Sequence, residues 1–205
     1  MTIPALLSHF GINTQRFVTT DGRVIFDGVF QSNSGGLAHP EYGSVSVMTP
    51  HTFHGGSDEP SDPEAVKAWW MDLEKLARHD NAVALAFPGF IRVSGDEEAP
   101  PAWGGVIDTG RGNFSVGVFA RWDEGLPSIQ ILRGPKMGVA RNGRWIPSPH
   151  LYLSGALCVA DQEDWHPEEH TVATAIGWAA HWLAAYTEWR ITNHWPVEGM
   201  HVDAA

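Results

Sequence analysis

The pattern of hydrophobic and polar positions divides the chain at a polar stretch rich in glycine, serine and proline, residues 55–62. Beyond this stretch, apolar residues recur at steps of three and four, which predicts an amphipathic helix over 62–78. Near the far end, the run 168–191 is apolar on two faces, and such a helix is buried on two sides. We therefore divide the chain into an N-terminal β-rich extension, residues 1–60, and a second domain, residues 61–205.

Other segments have the two-residue period of β-strands. An Asp21-Gly22 pair between alternating apolar positions predicts a hairpin over 15–31. Residues 82–93, 114–122 and 128–132 also favour strands. The order is then a helix, a meander of strands and a final helix, which is typical of an α+β domain.

One basic segment interrupts this order. Four of the 13 basic residues fall within residues 133–144, among glycines and a proline, which predicts a flexible loop. Two interpretations of its charge remain open. The loop steers an acidic partner towards the protein, or it is an ordinary solvated surface loop.

Composition and charge narrow the function classes. With 43% hydrophobic and 18% charged residues, the 205-residue chain is an ordinary globular protein. Its net charge of −11 argues against binding to nucleic acid or to an anionic membrane surface. A single cysteine excludes an intramolecular disulfide, and the N-terminus lacks the features of a secretory signal. We expect a cytoplasmic protein without a cofactor or a bound metal.

The only cysteine, Cys158, lies in the stretch with the most distinctive chemistry. Strand-forming residues surround a Ser154-Gly155 pair, which is typical of a tight turn. This pattern predicts a bend that delivers the thiol to the end of a short extended segment. Five acidic residues follow within about ten positions: Asp161, Glu163, Asp164, Glu168 and Glu169.

The spacing around Cys158 resembles the catalytic region of ubiquitin-conjugating (E2) enzymes. That family has a His-Pro-Asn tripeptide, a turn with a glycine, an aliphatic-Cys pair eight residues after the Asn, and then Trp-x-Pro. The matching residues here are Ser148-Pro149-His150, Gly155, Leu157-Cys158 and Trp165-His166-Pro167. Two positions depart from the family pattern, since Ser148 stands in place of the His and His150 in place of the Asn. A His at that place is similar to divergent bacterial E2-like proteins.

The resemblance implies an α+β, UBC-like fold and transfer of a ubiquitin-like protein through a thioester on Cys158. It implies an E1-like adenylating enzyme as donor, a protein amine as acceptor and, in some systems, a JAB-type peptidase. It also implies bacterial conjugation systems, several of which serve antiphage defence. The implied catalytic residues are Cys158 and His150, with supporting roles for Pro149, Tyr152, Gly155, Asp161, Asp164 and Trp165.

The role of His150 stays open at this stage. It either donates a hydrogen bond to the oxyanion, acts as a general base towards the amine, or only holds the loop. The acidic residues after Cys158 either help to deprotonate an incoming lysine amine or are solvated charges.

Two other function classes also stay open. An inert adaptor would bind a ubiquitin-like partner without carrying it. A cysteine or zinc hydrolase is the third class, because His166 and His170 match the H-x-x-E-H zinc-peptidase pattern. The carboxylates around Cys158 disfavour the low-pKa thiolate that a cysteine protease needs, whereas exchange from an activated thioester tolerates them.

Overall fold

The computed structural model describes residues 14–53, 68–96, 98–134 and 136–196. The proposed domain boundary between residues 60 and 61 lies outside these ranges. The described residues form eleven strands and two α-helices: β1 (Phe17–Thr19), β2 (Val24–Ile25), β3 (Phe30–Gln31), β4 (Leu37–His39), β5 (Gly43–Val47), α1 (Leu73–Ala86), β6 (Ile91–Ser94), β7 (Ala102–Asp108), β8 (Asn113–Phe119), β9 (Ser128–Arg133), β10 (Gly138–Arg141), β11 (Arg144–Pro147) and α2 (Val172–Thr192). Two 3-10 turns add Trp69–Met71 and Gln162–Asp164.

The strands form three antiparallel sheets. The first has the order β2-β1-β5-β4-β3, the second is the meander β6-β7-β8-β9, and the third is the two-stranded β10-β11 hairpin. The inner face of the meander is covered with fully buried side chains such as Ile107, Val116 and Ile129, which belong to one large core with α2. A smaller core of Phe17, Ile25 and Val45 lies within the first sheet.

The predicted fold class is wrong. Over the described residues the structure is mostly β, with 30% strand and 25% helix, and these residues form two helices and three antiparallel sheets rather than a UBC-like core with an extension. The prediction missed β7 and both strands of the third sheet. Strands of two to four residues are too short to establish a period of two, so pattern analysis undercounts them.

Helix α1 ends later than the helix predicted over 62–78, and residues 62–67 of that prediction lie outside the described residues. The described residues place its start at Leu73, where Asp72 caps it by accepting from the N–H groups of Glu74 and Lys75. It continues through part of the predicted strand 82–93, and only 91–94 are extended. The reason is that three of the residues 82–86 are alanine, the strongest helix former, so the helix persists until the turn at 88–89.

Helix α2 begins at Val172 rather than at 168. Thr171 and Thr174 form a capping box that fixes this start, and Asn193 ends the helix in a left-handed conformation with φ of 66°. Fourteen of its 21 residues are buried. The prediction of a helix buried on more than one side is confirmed, and α2 is the centre of the large core.

The predicted hairpin over 15–31 is shorter in the structure, and the predicted loop over 133–144 is largely a hairpin. The Asp21-Gly22 turn joins β1 and β2 as predicted, but Phe30 and Gln31 pair with β4 instead of extending that hairpin. The predicted basic loop 133–144 is largely a hairpin. Asn142 and Gly143 both have positive φ, 48° and 74°, as a two-residue primed turn requires.

Two adjacent glycines of β7 offer a matched test of packing. A Cβ on Gly105 would lie 2.4 Å from Cδ2 of the buried Phe90 ring, whereas a Cβ on Gly104 would meet only Val93 Cγ2, at an ordinary 3.5 Å. We expect Gly105→Ala to lower the free energy of unfolding by about 1–3 kcal/mol, because the rigid ring must shift in a packed core. Urea unfolding measures this change. Gly104→Ala is the control, and an equal loss there would contradict the packing argument.

Candidate functional site

Cys158 follows a tight turn whose tip is exposed. Tyr152 N–H donates to Ala156 O at 3.0 Å, and Gly155 N–H donates to Tyr152 O at 2.9 Å. Gly155 has φ of 88°, a left-handed conformation that favours glycine. Leu153 is 91% exposed at the tip. The structure therefore contains a bend of the kind that the Ser154-Gly155 pair indicated.

The thiol itself is not on the surface. Cys158 is 0% exposed, and its neighbours Leu157 and Val159 are buried as well. Leu157 N–H donates to Ile129 O at 2.8 Å, which ties the segment to strand β9 of the meander. The turn thus projects outwards while the cysteine that follows it belongs to the core. Any reaction with a protein-sized donor requires this segment to open.

His150 joins the cysteine segment to α2 through one carbonyl group. Its oxygen accepts from Cys158 N–H at 3.0 Å and from Trp182 Nε1 at 2.9 Å. The residue has φ of 54°, which a non-glycine residue adopts only when its surroundings hold it there. Its ring lies 5.8 Å from that of Phe53 and 5.0 Å from that of Trp195. Sequence analysis paired His150 with Cys158, and the structure connects their backbones.

The remaining predicted site residues mainly shape the segment on either side. Pro149 is half-buried directly before His150, and Tyr152 and Gly155 bound the turn. Asp161 caps the second 3-10 turn by accepting from Glu163 N–H at 3.2 Å. Trp165 is buried, and its Nε1 donates to Glu124 O at 2.8 Å.

Asp164 has a more specific contact, with a segment that sequence analysis did not connect to the site. Its Oδ2 accepts from Thr52 N–H at 2.8 Å. We call residues 49–53, which follow β5, the strap. Trp178 of α2 donates through Nε1 to Thr49 O at 3.0 Å, and Phe53 is 1% exposed. The strap therefore joins the turn after Cys158, helix α2 and the ring of His150. No local pattern in 49–53 predicts the hydrogen bond between Thr52 and Asp164, because these residues are 112 positions apart in the sequence.

A buried histidine pair holds the strap to α2. His51 Nδ1 lies 2.9 Å from Thr49 O, and His51 Nε2 lies 3.0 Å from His181 Nδ1. A carbonyl only accepts, so His51 carries its proton on Nδ1 and accepts through Nε2 from His181. Burial lowers the pKa of His51 to about 4, and burial also lowers the pKa of His181, with a further contribution from the nearby His51.

The structure offers no set of ligands for a zinc hydrolase in its described part. His166 and His170 stack at 5.7 Å, but His170 Nδ1 accepts from the backbone N–H of His166 at 3.0 Å. Within the described ranges, no three His, Cys, Asp or Glu side chains come together as a possible metal site. Over the same residues, no helix is long and apolar enough to cross a membrane.

A comparison with protein families identifies the family of this chain. Residues 79–202 match the model of the Type II CBASS E2 protein family, which is more than half of the chain. The chain belongs to this family. No curated protein and no solved structure matches it significantly.

Family membership assigns a general role to the protein. Type II CBASS E2 proteins are bacterial E2-like proteins of antiphage systems that conjugate ubiquitin-like proteins, so the resemblance found in the sequence is confirmed. The family implies partnership with a ubiquitin-like protein and an E1-like enzyme. The matched residues include most of α1, the cysteine segment and α2, whereas the strap lies before them.

The hydrogen bond between Asp164 and the strap predicts how accessible the thiol is. We expect Cys158 of the native protein to react slowly with iodoacetamide because it is buried. Asp164→Ala should increase that rate by about tenfold, because it removes a charged acceptor and releases Thr52. Mass spectrometry follows the labelling.

The matched control for this prediction is Glu163→Ala. Glu163 is the neighbouring carboxylate and is exposed. If Glu163→Ala accelerates labelling as much as Asp164→Ala, the strap does not control access to the thiol.

The buried histidines predict a loss of stability in mild acid. Burial lowers the pKa of His79 to about 4, and His79 Nδ1 accepts from Val172 N–H, at the start of α2. An unfolded histidine has a pKa of about 6.5, so the unfolded chain binds more protons as the pH falls below that value. The stabilisation is therefore complete above about pH 6.5 and is lost as the pH falls towards about 4. Urea unfolding at about pH 7.5 and about pH 5 measures the difference.

A variant of the same site identifies the source of that loss. His79→Gln keeps an acceptor for Val172 N–H but does not titrate, so it should reduce the difference between the two pH values. Near-UV circular dichroism at the higher pH checks that the variant is folded. An unchanged pH dependence would show that His79 does not contribute.

Proposed function

We propose that this protein is an E2-like carrier that accepts a ubiquitin-like protein as a thioester on Cys158 and transfers it to an amine. An E1-like enzyme is the proposed donor and a protein amine the acceptor. The observation that carries the proposal is the single cysteine of the chain, in the family's matched residues, directly after an exposed turn. A cytoplasmic location and a catalytic unit formed by residues 61–205 belong to the same proposal.

The chemistry consists of two exchanges. The Cys158 thiolate attacks the carbonyl carbon of the donor thioester, a new C–S bond forms, and the donor's thiolate leaves. The acceptor amine then attacks the new thioester, a C–N bond forms, and Cys158 leaves as a thiolate while the amine nitrogen loses a proton. The acyl group is activated before it arrives, so Cys158 does not need the strongly acidic thiol of a protease.

His150 and the residues around it have defined parts in the proposal. The hydrogen bonds of its carbonyl to Cys158 and Trp182 support a positioning role for the His150 backbone. Its ring is the proposed donor to the oxyanion once the segment opens. The carboxylates of Asp161 and Asp164 would lie at the entrance for the acceptor amine. Pro149, Tyr152, Gly155 and Trp165 would hold the shape of the segment.

The proposal requires a local opening. Opening must break hydrogen bonds that hold the segment, which are those of Cys158 N–H to His150 O and of Leu157 N–H to Ile129 O, and the strap contacts beside it. Opening of a surface turn costs less than global unfolding, so a transiently exposed thiol is compatible with a stable fold. A donor that binds the open form would shift the population towards it.

A second candidate, the inert adaptor, is favoured by one observation. Cys158 is 0% exposed, which is the usual state of a cysteine that only packs. In that case the protein would bind a ubiquitin-like partner without a covalent bond. Adduct formation distinguishes the two candidates.

Expression of tagged protein in its host tests the carrier mechanism. We expect wild-type protein to form a larger, thiol-sensitive species on non-reducing gels, and Cys158→Ser to form a more stable oxyester. Mass spectrometry should find the C-terminal peptide of the partner attached at position 158. Cys158→Ala is the control and should form no adduct. The absence of an adduct in both wild type and the serine variant, in cells with an active system, would favour the adaptor.

A further inference from the structure

The charge of the chain is distributed unevenly. Residues 125–160 contain four of its 13 basic residues and none of its 24 acidic residues, although the net charge of the chain is −11. This stretch includes β9, the β10-β11 hairpin and Cys158. The segment that carries the cysteine is therefore part of the longest stretch of the sequence without an acidic residue.

The basic residues elsewhere in the described chain are frequently paired. Five ion pairs join side chains of opposite charge: Arg23–Asp108, Lys75–Glu124, Arg92–Asp80, Arg111–Glu188 and Arg121–Asp123. Among the described residues, no ion pair includes Arg133, Lys136, Arg141 or Arg144. Arg133, Lys136 and Arg144 are exposed, so their charges face solvent and can be reached by a partner.

The β10-β11 hairpin, which carries Arg141 and Arg144, is fixed to α2 along one strand. Tyr186 OH accepts from Gly138 N–H at 3.3 Å and donates to Gly138 O at 3.2 Å. The guanidinium of Arg141 lies 5.6 Å from the centre of the Trp189 ring. Strand β10 thus faces the core, and all four residues of β11 are exposed. Arg144 and Trp145 are therefore presented on a hairpin that is held to α2, which lowers the entropy cost of binding.

An aromatic side chain lies within the same surface. Trp145 of β11 is 49% exposed, and its ring lies against Gly138. A Cβ on Gly138 would be 2.6 Å from Trp145 Cζ2 and 2.5 Å from Ile146 O, so only glycine permits this approach. Arginine and tryptophan are the side chains most enriched at the energetic centres of protein interfaces.

We propose that four exposed residues, which we together call the basic hairpin, bind an acidic segment of a protein partner: Arg133 at the end of β9, Lys136 in the loop that leads to β10, and Arg144 and Trp145 of β11. The inference rests on the proposed function, since it assigns the partner's chemistry at the site of transfer. Strand β11 continues directly into Ser148–His150, and Ser148 N–H donates to Met137 O at 3.1 Å. A partner bound at the basic hairpin is therefore delivered beside the cysteine segment.

A protein segment fits this surface better than a nucleic acid does. Three exposed cations match two or three carboxylates of one peptide, and complementary charge accelerates association and selects the partner. A nucleic acid presents a long row of phosphates to a protein that is strongly negative as a whole, and it needs more cationic contacts than these for affinity.

The test uses the full-length protein and a fluorescein-labelled peptide of about ten residues rich in glutamate, with a glutamine-rich peptide as the probe control. Fluorescence anisotropy should detect binding of the acidic peptide only, and added salt should weaken it. The triple variant Arg133→Gln, Lys136→Gln, Arg144→Gln should lower the affinity by about tenfold or more. Trp145→Ala tests the aromatic contribution separately.

The matched control removes the same number of charges elsewhere. Lys75→Gln, Arg92→Gln and Arg111→Gln change the net charge equally but leave the hairpin intact, so peptide affinity should change by less than about twofold. An equal loss in this control would overturn the inference. Equally tight binding of a single-stranded DNA oligonucleotide of the same charge to the wild type would also overturn it.

Binding and adduct formation are separate measurements, so the two proposals fail in different ways. If the Cys158 adduct forms at the same rate in the hairpin variant and no acidic peptide binds, the carrier function stands and the basic hairpin has no role. If the acidic peptide binds through the hairpin and no adduct forms at Cys158, the docking surface stands and the carrier function fails.

Discussion

One side of helix α2 holds together three segments of the chain, which are the strap, the residues around His150 and strand β10. Four aromatic side chains at steps of three and four residues contact these three segments: Trp178, Trp182, Tyr186 and Trp189. Their partners are Thr49 in the strap, His150 before the cysteine, Gly138 in β10 and Arg141 at the end of β10. Three of these contacts are hydrogen bonds to carbonyl groups, which would otherwise be costly in an apolar environment. The rings of Trp and Tyr fill the core, and their N–H and O–H groups bind the backbone of neighbouring segments, so one helix does both.

This arrangement explains why α2 is apolar nearly all round and still defines a site. A helix that only packed could be replaced by other large apolar residues with modest loss. Here the register matters, because a shift of one residue along α2 would move each donor away from its carbonyl. The backbone of His150 has a left-handed conformation, and its carbonyl oxygen accepts the hydrogen bonds from both Trp182 and Cys158. The geometry of the cysteine segment is therefore set by residues that lie in the core and far away in sequence.

Sequence patterns predicted the features that depend on residues close together in the chain. They did not predict contacts between distant segments. Turn residues identified the bends at 21–22 and 154–155, and residue spacing around Cys158 identified the family. Two-sided apolar character identified α2 as buried. The strap was not predictable, because the hydrogen bond from Thr52 to Asp164 depends on tertiary packing and leaves no periodic trace. The fold class failed for a related reason, since strands as short as Val24–Ile25 are recognised only through their partners.

The charges before and after Cys158 in the sequence have opposite signs, which would orient a bound partner. The basic hairpin precedes the cysteine in the chain, whereas the carboxylates of Asp161, Glu163 and Asp164 follow it. A partner with separated patches of charge would experience opposite forces on the two sides of the segment, and only one orientation would satisfy both. Asp164 is also the residue that holds the strap, so a cation that approaches this carboxylate competes with Thr52 N–H. Correct docking and release of the strap would then be linked, because both depend on the same carboxylate. A thiol that is buried at rest would become accessible mainly to a partner whose charges match, which protects the cysteine from unselective reaction.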